Sequence, residues 1–287
     1  MMPTFQPGSN GSTSEHFETI PELPISIVIP LYNEGQIMRQ NLENLAGFFN
    51  RLVGEANWFF ILVDNGSKDS TPELVRTAID RWPRSHAVHL TKPNYGAALK
   101  AGLASADTKW VYMVDIEQWD LPFLAWAWKH RQSYDLFIAS KRADPYINEQ
   151  LTYRRILSCG LNGLLQLFLR FTGTDTHGPK LLNNAALRSI SGACTMDRGQ
   201  YDTELVLRAT RAQKRIVEVP VEYRETRPHR NWMIKKIFWN MLALRRLVQV
   251  MKTVPIEGNS RCYRFAREDV LADSKALLAD VKEYDLV

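Results

Sequence analysis

Between Trp110 and Val114 five apolar residues run without a break into Asp115 and Glu117, two acids one residue apart. Such a run reads as a strand buried on both faces, the kind found in parallel sheets covered by helices. Charged side chains have no place inside it, so the acid pair is expected at its C-terminal end, where open α/β sheets bind ligands. Two carboxylates at i and i+2 in that position can hold a divalent cation, because hard cations take oxygen ligands.

The surrounding chain repeats the pattern. Ile25 to Pro30 and Trp58 to Val63 are apolar strands, and Ile37, Leu42, Leu45, Phe48 and Phe49 between them approximate helical spacing. Thr71 before Pro72 predicts an N-cap with proline at the first helical position, for a helix reaching Arg81. Ala87 to Leu90 predicts a short strand, Asp120 to Ser133 a helix, and Asp135 to Ala139 a fifth strand. Strands alternating with helices in this way predict an α/β chain with a parallel, doubly wound sheet. No GxGxxG follows the first strand, which argues against an ordinary dinucleotide-binding dehydrogenase.

At 287 residues the chain has ample core for one large domain with appendages. Its 36 basic residues exceed its 31 acidic ones modestly, and the surplus gathers late in the chain. Three scattered cysteines, Cys159, Cys194 and Cys262, lack metal-type spacing and suit a reducing compartment, hence a cytoplasmic expectation. Residues 1–22, rich in Ser, Gly, Thr and Pro, read as a disordered lead-in without a secretory pattern.

The second half changes character. Arg154 to Phe171 is strongly apolar but carries a polar stripe, and it is too short and too interrupted to span a bilayer. Arg215 to Tyr223 alternates as a strand, with Pro220 pointing to a sheet edge. Met233 to Lys252 sets apolar residues against Lys235, Lys236, Arg245, Arg246 and Lys252, a design suited to an anionic membrane surface or to ordinary packing. A mostly polar helix is expected from Arg267 to Glu283.

Nine segments now stand in order: IVIPLYNE, LVDNGSKDST, KPNYGAALKAGL, VDIEQWDLP, SKR, RRILS, DTHGPKL, YDTEL and IVEVPVEYR. Together they resemble the family-2 glycosyltransferases of GT-A fold, and among them the polyprenyl-phosphate (dolichyl-phosphate) mannose and glucose synthases. The resemblance implies a GT-A domain over 23–232, a Rossmann-like, mostly parallel sheet with helices on both faces. An amphipathic helix and helical tail are expected over 233–287. It implies a nucleotide pocket from Pro30, Tyr32, Glu34, Asp64, Asn94, Gly96 and Lys100, and Mg²⁺ or Mn²⁺ held by Asp115 and Glu117. It implies an acceptor-phosphate grip from Lys141, Arg142, Arg154 and Ser158, with Arg227 in a loop over the phosphates and Asp175 near the anomeric carbon. Glu117 departs from the family's second aspartate by one methylene, and Trp119 stands where relatives often carry Gln.

The expected activity is inverting transfer of a hexose from a UDP- or GDP-sugar to a polyprenyl phosphate, at the inner face of a membrane. Nucleic acid is not an expected partner, and a homo-oligomer is left open. A polyprenyl phosphate is already ionised, whereas a sugar hydroxyl needs a general base. The alternative with a hydroxyl acceptor would therefore rely on Asp202 or Glu204. A catalytically silent sugar-nucleotide binding or scaffold protein is the third reading.

Overall fold

A computed structural model describes residues 25–143, 163–164, 166, 168–169, 171–222, 233–258 and 262–278. In chain order its first half supplies β1 (Ile25–Leu31), α1 (Met38–Val53), β2 (Trp58–Asp64), α2 (Thr71–Arg81), β3 (His86–His89), α3 (Tyr95–Ser105), β4 (Trp110–Met113) and α4 (Leu121–Lys129). Its second half supplies β5 (Leu136–Ser140), β6 (Lys180–Asn183), α5 (Asn184–Ala193), α6 (Tyr201–Arg211), β7 (Ile216–Pro220), α7 (Met233–Lys252), β8 (Cys262–Arg264) and α8 (Arg267–Leu278). The strands form one sheet in the order β3-β2-β1-β4-β6-β5-β7-β8.

Every residue of β1, β2, β4 and β5 is buried, as continuous apolar runs require. Their side chains alternate between two cores. Ile27, Phe60, Tyr112 and Phe137 pack with Phe49 of α1, Val75 of α2, Trp126 of α4 and Val270 of α8. Val28, Ile61, Val111 and Ile138 face Leu99 of α3, Leu187 of α5, Leu205 of α6 and Leu247 of α7. The one polar residue inside β1, Ser26, is satisfied by a 2.6 Å hydroxyl contact with Thr108.

The sheet is mostly parallel, as the resemblance implies, and the one antiparallel strand among the described residues is β6, between β4 and β5. With only four residues, beginning with a lysine and ending with an asparagine, it carries no periodic signal. The cap of α2 is Ser70 rather than Thr71, and Asp69 accepts the Thr71 amide at 3.0 Å. β7 is not an edge strand, because β5 and β8 flank it. Pairing with β8 ends at Glu218, so Pro220 interrupts no ladder on that side.

The chain after residue 233 returns to the same sheet. α7 packs through Leu244, Leu247 and Met251, while β8 pairs with β7 and α8 lies against α4. The expected boundary at 232, the lead-in 1–22, most of the amphipathic segment 154–171 and the tail beyond 278 lie outside the described residues.

α3 approaches the sheet closely because Gly102 lacks a side chain. A Cβ there would lie 2.4 Å from Val28 Cγ1 and 3.1 Å from Val63 Cγ2. Gly102→Ala should therefore destabilise by about 1–3 kcal/mol, seen as a lower urea midpoint with unchanged slope.

Candidate active site

β1, β2, β4, β5 and β7 run parallel, so their C-terminal ends lie along one edge of the sheet, and β6 begins there. After β1 the chain turns through Asn33 with φ of 56°, a left-handed conformation that asparagine tolerates. The Asn33 amide donates to Ser67 Oγ at 3.0 Å, and Asn33 Oδ1 accepts the Lys68 amide at 2.8 Å. Gly35 donates to Asp69 Oδ2 at 2.9 Å, so the loops after β1 and β2 are bonded into one wall.

That wall opens on a cavity of ≈ 190 Å³. Pro30 lines it from the end of β1, Tyr32 and Glu34 from the loop that follows, Asn65 from the loop after β2, Tyr95 from α3, and Asp115, Ile116 and Glu117 from the turn after β4. Tyr32 is 43% exposed, so its ring is open to solvent beside the cavity.

The Asp115 turn is tight, with the Gln118 amide donating to the Asp115 carbonyl at 3.1 Å. Tyr95 Oη donates to Asp115 Oδ1 at 3.0 Å. Burial pushes the Asp115 carboxyl up to about 6 against that hydrogen bond, and the nearby charges of Asp202 and Glu117 add to the rise while Lys180 opposes it. Burial, then the charges of Asp115 and Asp202, hold the Tyr95 phenol well above its ordinary value, so it remains a donor. Asp115 and Glu117 thus offer hard oxygen ligands on one cavity wall. This donor set fits a divalent cation that takes its remaining oxygens from a diphosphate and water. Among the described residues no group of three or more acidic, histidine or cysteine side chains is arranged to hold a metal by itself.

The other expected nucleotide residues lie around this cavity rather than in it. Asp64 is 4% exposed, with Oδ1 accepting the Ser67 amide at 3.0 Å and Oδ2 lying 3.3 Å from His89 Nδ1. Asn94 caps α3, accepting from the Ala97 and Arg198 amides at 3.2 and 2.8 Å. A Cβ on Gly96 would meet Arg198 O at 2.5 Å, so this glycine admits the 197–198 backbone. Lys100 Nζ donates to the Cys194 carbonyl at 2.7 Å.

Lys141 and Arg142 are half-buried at the end of β5, where Ser140 Oγ accepts the amides of Arg142 and Ala143 at 3.2 and 3.0 Å. Arg154, Ser158 and Arg227 lie outside the described residues. Asp175 is 5% exposed; Oδ1 accepts the His177 amide at 3.0 Å, and Oδ2 is buried without a partner.

The carboxylates required by the hydroxyl-acceptor alternative have scaffold partners. Lys180 Nζ lies 2.8 Å from Asp202 Oδ1, with both side chains almost wholly buried. Glu204 accepts the Thr195 and Met196 amides at 2.8 and 2.6 Å and Arg208 Nε at 2.7 Å. Tyr95 and Lys180 were missed as site-shaping residues in the sequence. Both stand within the quoted segments KPNYGAALKAGL and DTHGPKL, but an aromatic beside the Asn94 cap and a lysine ahead of an apolar run are commonplace and give no role by themselves.

The fold is of GT-A architecture, a mostly parallel sheet with helices on both faces. Residues 26–119 match the family described as Glycosyl transferase family 2, the family that the nine motifs resemble. Over 242 residues the chain is 26% identical to a dolichyl-phosphate beta-glucosyltransferase of Trichomonas vaginalis, covering 77% of this chain and 72% of that one. It is 28% identical to an undecaprenyl-phosphate 4-deoxy-4-formamido-L-arabinose transferase of Edwardsiella ictaluri, covering 70% of this chain and 60% of that one. Glucosyl-3-phosphoglycerate synthase from Mycobacterium tuberculosis, solved with Mn²⁺, UDP and glucosyl-3-phosphoglycerate, superposes with a TM-score of 0.53 over 82% of each chain. At 19% identity it shows the shared fold.

Lys180→Met would leave Asp202 buried and uncompensated, and should cost about 3–5 kcal/mol in chemical denaturation. Adding Asp202→Asn to that variant should restore part of the loss, as the two side chains act as one unit.

Proposed function

We propose that the protein transfers a hexose from a nucleoside diphosphate sugar, UDP- or GDP-linked, to a polyprenyl phosphate with inversion at the anomeric carbon. The observation that carries this reading is the engagement of Asp202 and Glu204 by Lys180, Arg208 and backbone amides. A hydroxyl acceptor would need one of them to take a proton, whereas an ionised phosphate needs positioning alone. Similarity to transferases acting on dolichyl and undecaprenyl phosphates points the same way.

In this reading Pro30, Tyr32 and Glu34 receive the nucleoside, with Asp64 behind them at the end of β2. Asp115 and Glu117 would hold Mg²⁺ or Mn²⁺, which when bound supplies positive charge against the leaving diphosphate. Lys141 and Arg142, with Arg154, Ser158 and Arg227, grip the acceptor phosphate, since guanidinium forks match phosphate oxygens. A phosphate oxygen then attacks the anomeric carbon from the face opposite the diphosphate. The new C–O bond forms as the old one breaks, and the nucleoside diphosphate leaves. Asp175, beside the end of β5, orders the sugar side of the site.

Membrane-surface action is part of the proposal. No described helix is long and apolar enough to cross a membrane. α7 leaves Met241 and Leu242 54% and 41% exposed, next to exposed Arg245 and Arg246. Apolar side chains ringed by cations suit an anionic cytoplasmic leaflet. Reversing both arginines to Glu should weaken flotation with anionic liposomes by at least about tenfold, without lowering binding of UDP with Mn²⁺.

The deciding experiment gives the purified protein Mn²⁺, a panel of sugar nucleotides and polyprenyl phosphate in vesicles. The expected product is a glycolipid of inverted anomeric configuration, whose formation stops on chelation of the metal. Asp115→Asn should lower its kcat by at least about 100-fold, equal to about 2.7 kcal/mol of barrier. Transfer to a soluble sugar with no glycolipid would overturn the proposal. Metal-dependent nucleotide binding with no transfer to any acceptor would favour a silent binding protein.

A further inference from the structure

The C-terminal segment lies beyond the residues matched to the family, yet it reaches two loops of the site. Arg267, at the start of α8, is 6% exposed. Its Nη1 and Nη2 donate to Asp120 Oδ1 and Oδ2 at 3.0 and 2.8 Å, a two-pronged grip, and Nη1 also donates to the Pro220 carbonyl at 3.1 Å. Asp120 caps α4, its Oδ1 accepting the Phe123 amide at 2.7 Å. It stands three residues after Glu117, so it fixes the exit of the turn that carries both candidate metal ligands.

Three residues earlier, at the end of β8, Arg264 reaches the second loop. Its Nε lies 3.4 Å from Glu218 Oε2, and its Nη2 donates to the Thr172 carbonyl at 3.0 Å. Glu218 is wholly buried in β7. It accepts the Thr174 and Asp175 amides at 2.6 and 3.2 Å and the Thr174 hydroxyl at 2.8 Å. Glu218 therefore holds the backbone from which Asp175 and His177 project. α8 is itself latched to α4, where Asp273 pairs with Lys129 and lies 2.5 Å from His130 Nε2.

We infer that residues 262–278 form a clamp that positions the site from outside it. Arg267 acts through Asp120 on the 115–120 turn, and Arg264 acts through Glu218 on the 172–177 loop. Both arginines are positioning residues, because neither reaches the cavity. The physical reason is that apolar packing of Ile116 and Trp119 fixes the middle of the 115–120 turn, whereas the carboxylates of Asp120 and Glu218 take their places from the groups that pair them. A two-pronged arginine fixes both the position and the orientation of a carboxylate, which a lysine does not.

The inference rests on reading the 115–120 turn as the metal and diphosphate side, and its test separates the two ideas. Wild type, Arg267→Lys and Arg264→Gln are compared by hydrogen exchange over peptides 115–123 and 172–178, and by calorimetric titration with UDP in the presence of Mn²⁺. Arg267→Lys should speed exchange in 115–123 alone and weaken UDP binding about tenfold, the scale on which outer partners of metal ligands act. Arg264→Gln should speed exchange in 172–178 and leave UDP affinity within about twofold. Asp120→Asn keeps a capping oxygen and reads the first contact from its other end, should Arg267→Lys fail to fold. Unchanged exchange in both loops would overturn the clamp, as would faster exchange in 115–123 with wild-type UDP affinity, which makes Arg267 structural only. If wild type does not bind UDP with Mn²⁺, the functional reading fails, while the exchange data still decide whether the loops depend on these arginines.

Discussion

The structure depends on burying both faces of its central strands. β1, β2 and β4 have no face turned to water, so a polar side chain within them is costly; Ser26 is paired with Thr108, whereas the Tyr112 hydroxyl is buried without a partner. Chemistry is thereby displaced to where the strands stop. The Asn33 turn, the Asp64 to Ser67 turn and the Asp115 turn all occur within a few residues of a strand end, and parallel pairing brings those ends to one edge. The cavity follows from the pairing, because three loops that leave the same edge cannot fill the space between them.

Buried charge is the second organising element, and it sorts the acids into two kinds. Asp202, Glu204, Glu218 and Asp120 are satisfied by Lys180, Arg208, backbone amides and Arg267, so they build the scaffold. Asp115 is held differently. A neutral phenol is its hydrogen-bond donor, and burial raises its pKa to about 6. A carboxylate so placed gains from a cation that approaches through the cavity, whereas the scaffold acids already have their cations. That contrast separates candidate ligands from the equally acidic residues of the YDTEL segment.

Residues 25–140 are largely legible because their signals are local. Five apolar runs became five strands with ends displaced by a residue or two, and the acid pair fell at a strand end. Pro30, Tyr32, Glu34, Asp115 and Glu117 do share one cavity. Lys100 and Gly96 do not line it, since the chain that claims them, from Cys194 to Arg198, arrives from about a hundred residues away. β6 and β8 escaped the reading because three or four residues of mixed polarity have no period to detect. They become strands only because neighbouring edges offer unpaired backbone groups.

The sequence by itself determined the alternation of strands and helices, the match of residues 26–119 to a family model and the pair of carboxylates after β4. Apolar periodicity and contiguous motifs are properties of neighbouring residues, which a linear reading captures. Tertiary structure alone decided that β6 runs antiparallel through the sheet, that Lys180 is committed to Asp202, and that Arg264 and Arg267 reach back to Glu218 and Asp120. Those contacts join residues up to 147 positions apart. Their energy comes from pairing charges that burial would otherwise leave unsolvated, and which charges become buried together is known only after the chain has folded.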